Sequence, residues 1–595
     1  MGYYRLADNN AILLNEPRSV AAMSVALFFG WFAWQLFGPD PPIIVSRETT
    51  YLTAPLRADG LPDYEKYVLE KYREGVTPEN NAAVLLLQAI GPGDMKPAEF
   101  SAVAKVIGLE RVAPPDEHLN DVYSDDTRAV IAAWLAKERI PPGVNDEATA
   151  QDLETSPDAA HDEVVEDIID NALERPWSSE QVPPLAEWVA ANQEPLRLIV
   201  ASSLRARFFA PMAELLNETT DQLIYAPLSG ALKLRTAARA LSTRAMWHLG
   251  EGRAEDSWKD ISAIYRLSRL AGQGNALVEQ LVSIAIEGIA NRATLALLDG
   301  PAATPNLLLK IRHDLEALSA REPISSSIDQ FERIASLSVV VCVRDGDAAE
   351  LELSDGFEAV AMAACDWNIS LRELNRWYDE LVGVLRLPSG AGRNAALGDY
   401  EKRLAKNERS VSARRLMIGL LSRQVRSELL ADIFVALMLP STATACTAED
   451  RSNTHLALTR LAVAVAIYRS EHGEYPEALE SLAPDVLEKL PLDLYHNLPF
   501  IYRHTKNGYL LYSRGPNGND DGGSNRQMDF YQGYSVAMKP VKSLRELLGD
   551  DLPESDDAVM RAFGEGNSLF NLIPTDADDI AIRLPLPKLE LPKAK

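Results

Sequence analysis

The alternation of apolar and polar positions divides the chain into three unequal parts. Val20 to Phe37 reads VAAMSVALFFGWFAWQLF, eighteen residues with Ser24 and Gln35 polar and none charged. At about 1.5 Å per residue such a helix reaches about 27 Å, close to the hydrocarbon thickness of a bilayer. Trp31 and Trp34 lie toward its C-terminal end, where indole rings favour the membrane interface, and Pro39, Pro41 and Pro42 stop a helix there. The run predicts one membrane-spanning helix that stays attached. A cleaved signal peptide is the competing reading; the length of the run and the lack of a small-x-small site after it speak against cleavage. The short tail 1–19 places Arg18 at the membrane edge, which favours its residence inside and puts the bulk of the chain on the extracytoplasmic side, periplasmic or exterior.

From 38 to 430, helix-period segments alternate with Pro and Gly punctuation, which predicts a large α-helical body. Tyr64, Tyr67, Val68 and Leu69 mark one amphipathic segment, and Thr77 with Pro78 predicts the N-cap and first residue of a helix running to Ile90. Three longer helices are expected over Ala237–Leu249, Ala254–Leu270 and Ala276–Leu298, with glycines at 250, 252, 272 and 274 between them. These hairpins resemble tetratricopeptide-type solenoids. No second copy recurs at a fixed period, so a plain helical bundle stands beside the solenoid as an alternative. Either surface offers grooves for peptides or partner helices.

Composition narrows the partners. The chain of 595 residues carries 86 acidic and 59 basic side chains, a formal net charge of −27. Phosphate backbones repel such a surface, so no nucleic-acid partner is expected. The stretch Asp146–Glu174 is crowded with acids and reads as a solvated face, with an acidic metal or protein-docking surface as the alternative. Cys342, Cys365 and Cys446 show no CxxC spacing; buried thiols are the plain expectation, and a Cys342–Cys365 bridge is the alternative in an oxidising compartment.

Around residue 431 the pattern changes. Ile433 to Leu439 ends at Pro440, a polar connection follows over Ser441–Asn453, and Thr454 to Arg469 is an amphipathic helix with Leu458, Leu461, Val465 and Tyr468 on one face. Gly473 stops it. Two short aromatic strands flank Asn507-Gly508, a strong hairpin signal. The ordered run Ala466-Ile467-Tyr468-Arg469, His472-Gly473, Tyr475-Pro476, Pro491-Leu492-Asp493, Tyr509-Leu510-Leu511-Tyr512-Ser513 and Gly515-Pro516-Asn517-Gly518 resembles the globular part of type II secretion major pseudopilins. The resemblance implies a long helix packed on a small antiparallel sheet over residues 431–532, followed by a C-terminal extension, 533–595. The basic leader, processing site and attached apolar helix of that family have no counterpart beside this domain, so processing by a prepilin peptidase and polymerisation into a pilus are not expected. The fold class expected for the whole chain is therefore mainly α: a single N-terminal transmembrane helix, a large helical body, and a small α+β pseudopilin-like domain.

Major pseudopilins bind calcium in the loop after the hairpin, and the resemblance extends that expectation here. Asn517, Asn519 and Asp521 alternate before Gly522, as in the first half of a calcium loop, while position twelve is Met528 in place of a bidentate acid. Asp578 and Asp579 resemble the acidic segment that closes the family's site. A calcium ion held by Asn517, Asn519, Asp521, Asp578 and Asp579 with main-chain oxygens is the candidate; a turn rich in Asn, Asp and Gly, which forms without metal, is the alternative. The sequence holds no GxSxG, HExxH or P-loop pattern. The functional expectation is a membrane-anchored envelope protein with a structural or protein-interaction role. An accessory component of a type II secretion-like system and an extracytoplasmic enzyme with a non-local site in the helical body are the alternatives.

Overall fold

The computed structural model describes residues 16–93, 95–110, 112–137, 157–211, 229–274, 276–346, 364–408, 415, 418–419, 421–524 and 578–586. The protein is mainly α-helical. Helix α1 covers Glu16–Phe37 and is followed by an extended strap that leads into α2, Tyr64–Arg73, whose first turn is capped by the Asp63 carboxylate on the Lys66 amide. Helix α3 is Ala82–Ile90. It starts later than Thr77-Pro78 suggest, because Asn81 is the cap. The Asn81 amide group also exchanges hydrogen bonds with the Phe209 main chain at 2.8 and 2.9 Å, and Thr77 to Asn80 close a turn instead. A contact 128 residues away selected the cap, and no local pattern reports that.

Helices α4 (Pro97–Ile107), α5 (Asp125–Lys137), α6 (Pro157–Glu174), α7 (Pro183–Ala191) and α8 (Gln193–Ser202) gather around a central trio. The trio is α9 (Ser229–Gly250), α10 (Ala254–Ala271) and α11 (Leu277–Asp299), an antiparallel arrangement with the short glycine turns expected from the sequence. Helix α12, Pro305–Glu316, completes the first core. The second half of the acidic stretch is α6; it turns Val165, Ile168 and Ile169 into that core and leaves Glu166, Asp167 and Asp170 exposed, with Glu166 on Arg128 at 2.8 Å.

A second core forms around a helical turn at Ile324–Ser327, a π-helical turn at Ile328–Glu332, and helices α13 (Arg333–Asp345), α14 (Trp367–Leu385), α15 (Ala391–Glu408) and α16 (Arg423–Met438). Cys342 and Cys365 form no disulfide; Cys365 is buried as a thiol.

Helix α17 runs unbroken from Pro440 to His472 and ends on Gly473 at φ 82°, whose amide reaches the Arg469 carbonyl. The polar connection expected over 441–453 is part of this helix, for a reason given below. The hairpin pairs β1 (Ile501–Thr505) with β2 (Gly508–Ser513), and β3 (Ile580–Leu584) adds to the other side of β2, all antiparallel in the order β1-β2-β3. Leu458, Leu461 and Val465 of α17 pack with Tyr509, Leu511 and Ile582 of the sheet in the first core. That core is continuous from α3 to β3.

Candidate functional site

The loop after β2 is closed by its own carboxylates. The Asn517 main-chain N–H donates to the Asp578 carboxylate at 3.1 Å, and the Asn517 side chain donates to Asp521 at 3.0 Å. Asp521 also accepts from the Asp578 amide at 3.3 Å. The turn from β2 requires Gly515 at φ 62°: a Cβ there would lie 2.2 Å from the Asp578 carbonyl oxygen. Asp579 is buried and accepts the Gly523 amide at 2.7 Å. Burial pushes its carboxyl up to about 7; the Gly523 hydrogen bond opposes this and the charges of Asp521 and Asp520 add to it. Asn517, Asp521 and Asp578 thus meet directly, Asp579 stands beside them, and Asn519 enters through its amide, which donates to Asn517 Oδ1 at 2.6 Å.

The donor chemistry is all oxygen, which suits a hard cation such as calcium. Among the described residues no group of three or more His, Cys, Asp or Glu is arranged to hold a metal by itself, so amide and main-chain oxygens would have to complete the shell. Sequence reasoning missed three residues that shape the loop. Asp520 accepts the Tyr512 hydroxyl at 2.7 Å; Asp493, buried, accepts the Ser513 hydroxyl at 2.7 Å; and His496 Nε2 lies 2.8 Å from the Gly515 carbonyl oxygen. Asp493 belongs to the Pro491-Leu492-Asp493 signal, whose position in space only the fold supplies.

At the opposite extreme of polarity, α1 shows its apolar side chains to the outside. Met23, Leu27, Phe28, Phe29, Trp31, Trp34 and Phe37 are each more than half exposed. Its last carbonyls, which a helix cannot satisfy internally, are taken up by the body. Arg423 donates to Trp34 O at 2.9 Å, Arg426 donates to Gln35 O, and the Ala364 amide donates to Leu36 O at 3.1 Å. Asp40 then accepts the Cys365 amide and the Trp367 indole, each at 2.8 Å. The strap is laced to α14 by Asn368, which accepts the Ile44 amide, and Asn375, which donates to Thr49 O at 2.6 Å. Tyr51, at φ 60°, lies against the buried Arg333 guanidinium, 4.4 Å from its ring centroid. The end of helix α1 and the strap after it are thus joined to the second core by hydrogen bonds.

In α17 the stretch from Glu449 to Ser452 is polar because it is set among charges. Glu287 of α11, fully buried, lies between Arg269 and Arg321, each at 2.5 Å, and accepts the Ser452 hydroxyl at 2.6 Å. Burial works to raise the Glu287 carboxyl, but Arg321 and Arg269 outweigh it and hold it below the usual range. Next along α17, Asp450 pairs with the buried Arg393 and accepts Ser389 at 2.8 Å, while Glu449 accepts the Ile324 amide at 2.9 Å. His455 lies half-buried in the same seam, and desolvation with the Arg292 charge lowers its pKa to about 4. These partners explain why a stretch that reads as a linker is helix: its polar side chains answer charges from α11, α15 and the segment at 321–324.

Two open clefts mark the surface of the body. One, of about 550 Å³, runs between the two cores beside Lys71, Tyr72, Arg207, Gln273, Glu322 and Gln330. The other, of about 490 Å³, is bordered by Arg372, Glu373, Arg376, Arg415, Glu428 and Asp432, where Arg415 meets Asp432 at 2.5 Å and Arg376 meets Glu373. Both are open grooves of mixed polar and apolar lining, the first reaching the buried Tyr72, Phe208 and Gln280. Comparison with known protein families, with curated proteins and with solved structures finds no match to this chain.

Proposed function

We propose that the protein is a membrane-tethered scaffold of the cell envelope: α1 crosses the bilayer, and the body, on the extracytoplasmic side, presents its grooves and its C-terminal sheet to protein partners. One observation carries this reading. An eighteen-residue apolar run is folded as a helix with its large side chains outside both cores, while its end is fixed into the body by Arg423, Arg426 and Asp40. Exposed surface of that size and polarity is unstable in water and is matched by lipid. The body's acidic character suits a partner with a basic face.

The C-terminal domain is, in this reading, a pseudopilin-like module that no longer has its own membrane helix. A long helix packed on a three-stranded antiparallel sheet supports that resemblance, as does the glycine-dependent loop that gathers Asn517, Asp521 and Asp578. Calcium bound there would act structurally, by neutralising the carboxylates that join the loop to β3. An accessory role in a type II secretion-like system is the second reading, favoured by the ordered sequence run that ends in this loop. Extraction of native membranes with alkaline carbonate tests the tether: the full chain stays in the membrane pellet, and its release to the supernatant contradicts the proposal. Cysteine accessibility from each side of the membrane tests the orientation, with the body labelled from the extracytoplasmic side.

A further inference from the structure

The larger cleft, of about 550 Å³, opens where the two cores meet, and each core supplies a wall. On one wall the chain at 206–208 is pinned from behind. The Arg207 amide donates to Asn80 O at 3.0 Å and its carbonyl accepts the Ala82 amide at 2.7 Å. Gln273 accepts the Phe208 amide at 3.0 Å and donates to Ala206 O at 2.9 Å. On the other wall Glu322, Ser326 and Gln330 stand on the turns that open the second core, with Gln330 in the π-helical turn Ile328–Glu332. Such turns recur at functional sites. The Ile324 amide on Glu449 and the Leu277 amide on Glu332 fix this wall to its neighbours. The cleft is therefore built into the packing of the body, and its volume is that of a ligand site.

The groups that line it are unevenly used. Lys71 and Glu74 pair with each other at 2.9 Å. Arg207 and Glu322 are exposed, one on each wall, and neither forms an ion pair among the described residues. Arg207 acts on Glu74 through space, behind Lys71. The side chains of Ser326 and Gln330 make no hydrogen bond among the described residues. At the floor Gln280 is fully buried; its Nε2 donates to Gly272 O and Gly274 O at 2.8 and 3.2 Å, and its Oε1 accepts no hydrogen bond. An occupant that matches this set brings an acid for Arg207, a base for Glu322, and N–H and C=O groups between them for the hydroxyl and amide side chains. A polypeptide has all of these. A neutral sugar leaves both charges unmatched, and a phosphate ester meets Glu322 and Glu74 as like charges.

We infer that this cleft binds an extended peptide segment carrying an acidic and a basic side chain, the acid on Arg207 and the base on Glu322. This rests on the reading of the body as a scaffold for protein partners and does not depend on α1 crossing a bilayer. With one charge on each wall, the order of the two side chains along the peptide matters.

The test uses the full chain in detergent micelles and fluorescein-labelled peptides, read by fluorescence anisotropy. The peptides carry Glu before Lys, Lys before Glu, or Gln in both places, with spacers of one, two or three alanines. The charged peptides are expected to bind more tightly than the neutral one, and one order more tightly than the other. Arg207→Gln and Glu322→Gln each weaken the preferred peptide by about three- to fivefold and leave the neutral peptide unchanged. Exchange of the two charges, Arg207→Glu with Glu322→Arg, inverts the preferred order. Both positions are exposed, so the variants keep the melting temperature of the parent chain. No binding, equal binding of charged and neutral peptides, or an order preference untouched by the exchange overturns the inference. A chain that binds none of the peptides but stays in the carbonate-washed membrane pellet overturns this inference and leaves the tether standing; one that binds them but is released from the pellet does the reverse.

Discussion

Among the described residues one helix, α11, is long and apolar enough to cross a membrane, and α1 contains a shorter apolar helical stretch; the two are packed in opposite ways. Helix α11 has a mean hydropathy of 1.5 over its best window, and 72% of that window is buried inside the protein. Helix α1 buries little of its apolar face and stands outside both cores. By hydropathy and length over the described residues α11 is the stronger candidate span, yet it is the centre of the first core, packed between α9, α10 and α17. The difference lies in the polar residues. Glu279, Gln280, Glu287, Asn291 and Thr294 of α11 are all buried and find partners on other elements: Tyr72 donates to Glu279, Arg269 and Arg321 flank Glu287, and Tyr265 donates to Asn291. Five such positions mark a helix that was folded among other helices. The α1 run has two polar positions, Ser24 and Gln35, and the proposed tether rests on that apolar surface.

The comparison is open to attack by placing a charge in each helix. Ala290→Asp, at a fully buried position of α11, is expected to cost about 3–5 kcal/mol or to prevent folding, since the carboxylate has no counter-charge. Phe29→Asp in α1 is expected to change unfolding of the detergent-solubilised chain by no more than about 0.5 kcal/mol while reducing retention in membranes. Denaturant unfolding and membrane fractionation on the two variants read this directly. Equal destabilisation by both would mean that α1 is a core helix too.

The polar face of α11 sharpens the same contrast. Glu287→Ala leaves Arg269 and Arg321 buried without their shared carboxylate, an expected loss of about 3–5 kcal/mol. Replacing Glu287 and Arg321 together by methionine is expected to recover part of it, measured as a double-mutant cycle. The pH profile reports two half-buried histidines, His455 of the seam and His248 of α9, each with a pKa lowered to about 4 chiefly by burial. The unfolded chain therefore takes up protons first as pH falls. Their contribution is complete above about pH 6.5 and is lost progressively down to about pH 4. His455→Gln flattens that slope; a profile with the same slope in the variant contradicts the assignment.

The smallest expected effect lies in the C-terminal loop. Asp579 has a carboxyl raised to about 7, so the folded state is favoured while it stays protonated and loses that advantage as pH rises through 7. A bound cation reverses this. Millimolar calcium is expected to raise the melting temperature by about 2–4 °C at pH 8, less at pH 6, and not at all in Asp579→Asn. An unchanged melting temperature at pH 8 removes calcium from the account.

The sequence made these regions legible to different degrees, for physical reasons. The trio α9 to α11 and the β1–β2 hairpin follow from glycine turns and side-chain period, which are local properties. The first half of α17 does not, because Glu449, Asp450 and Ser452 read as linker residues until Arg393 and Arg321 are brought to them. Strand β3 was hidden in the same way: Ile580 to Leu584 alternate, but their partner β2 lies some seventy residues earlier and the acids before them drew the reading toward a metal. In the candidate site the motif residues were visible, whereas Asp493 and His496, which fix the loop from below, were not. Asn81 capping α3 through Phe209 is a further case of a distant contact setting a local boundary.

The most direct test of the central claim compares the two apolar helices in one bilayer. A nitroxide is placed at Leu27 of α1, 68% exposed, or at Val278 of α11, 37% exposed, in the full chain reconstituted into vesicles. Accessibility to oxygen, which partitions into lipid, is measured against accessibility to a water-soluble nickel chelate. The account predicts a lipid-buried label at Leu27 and a water-facing label at Val278. A water-facing label at Leu27 would contradict it.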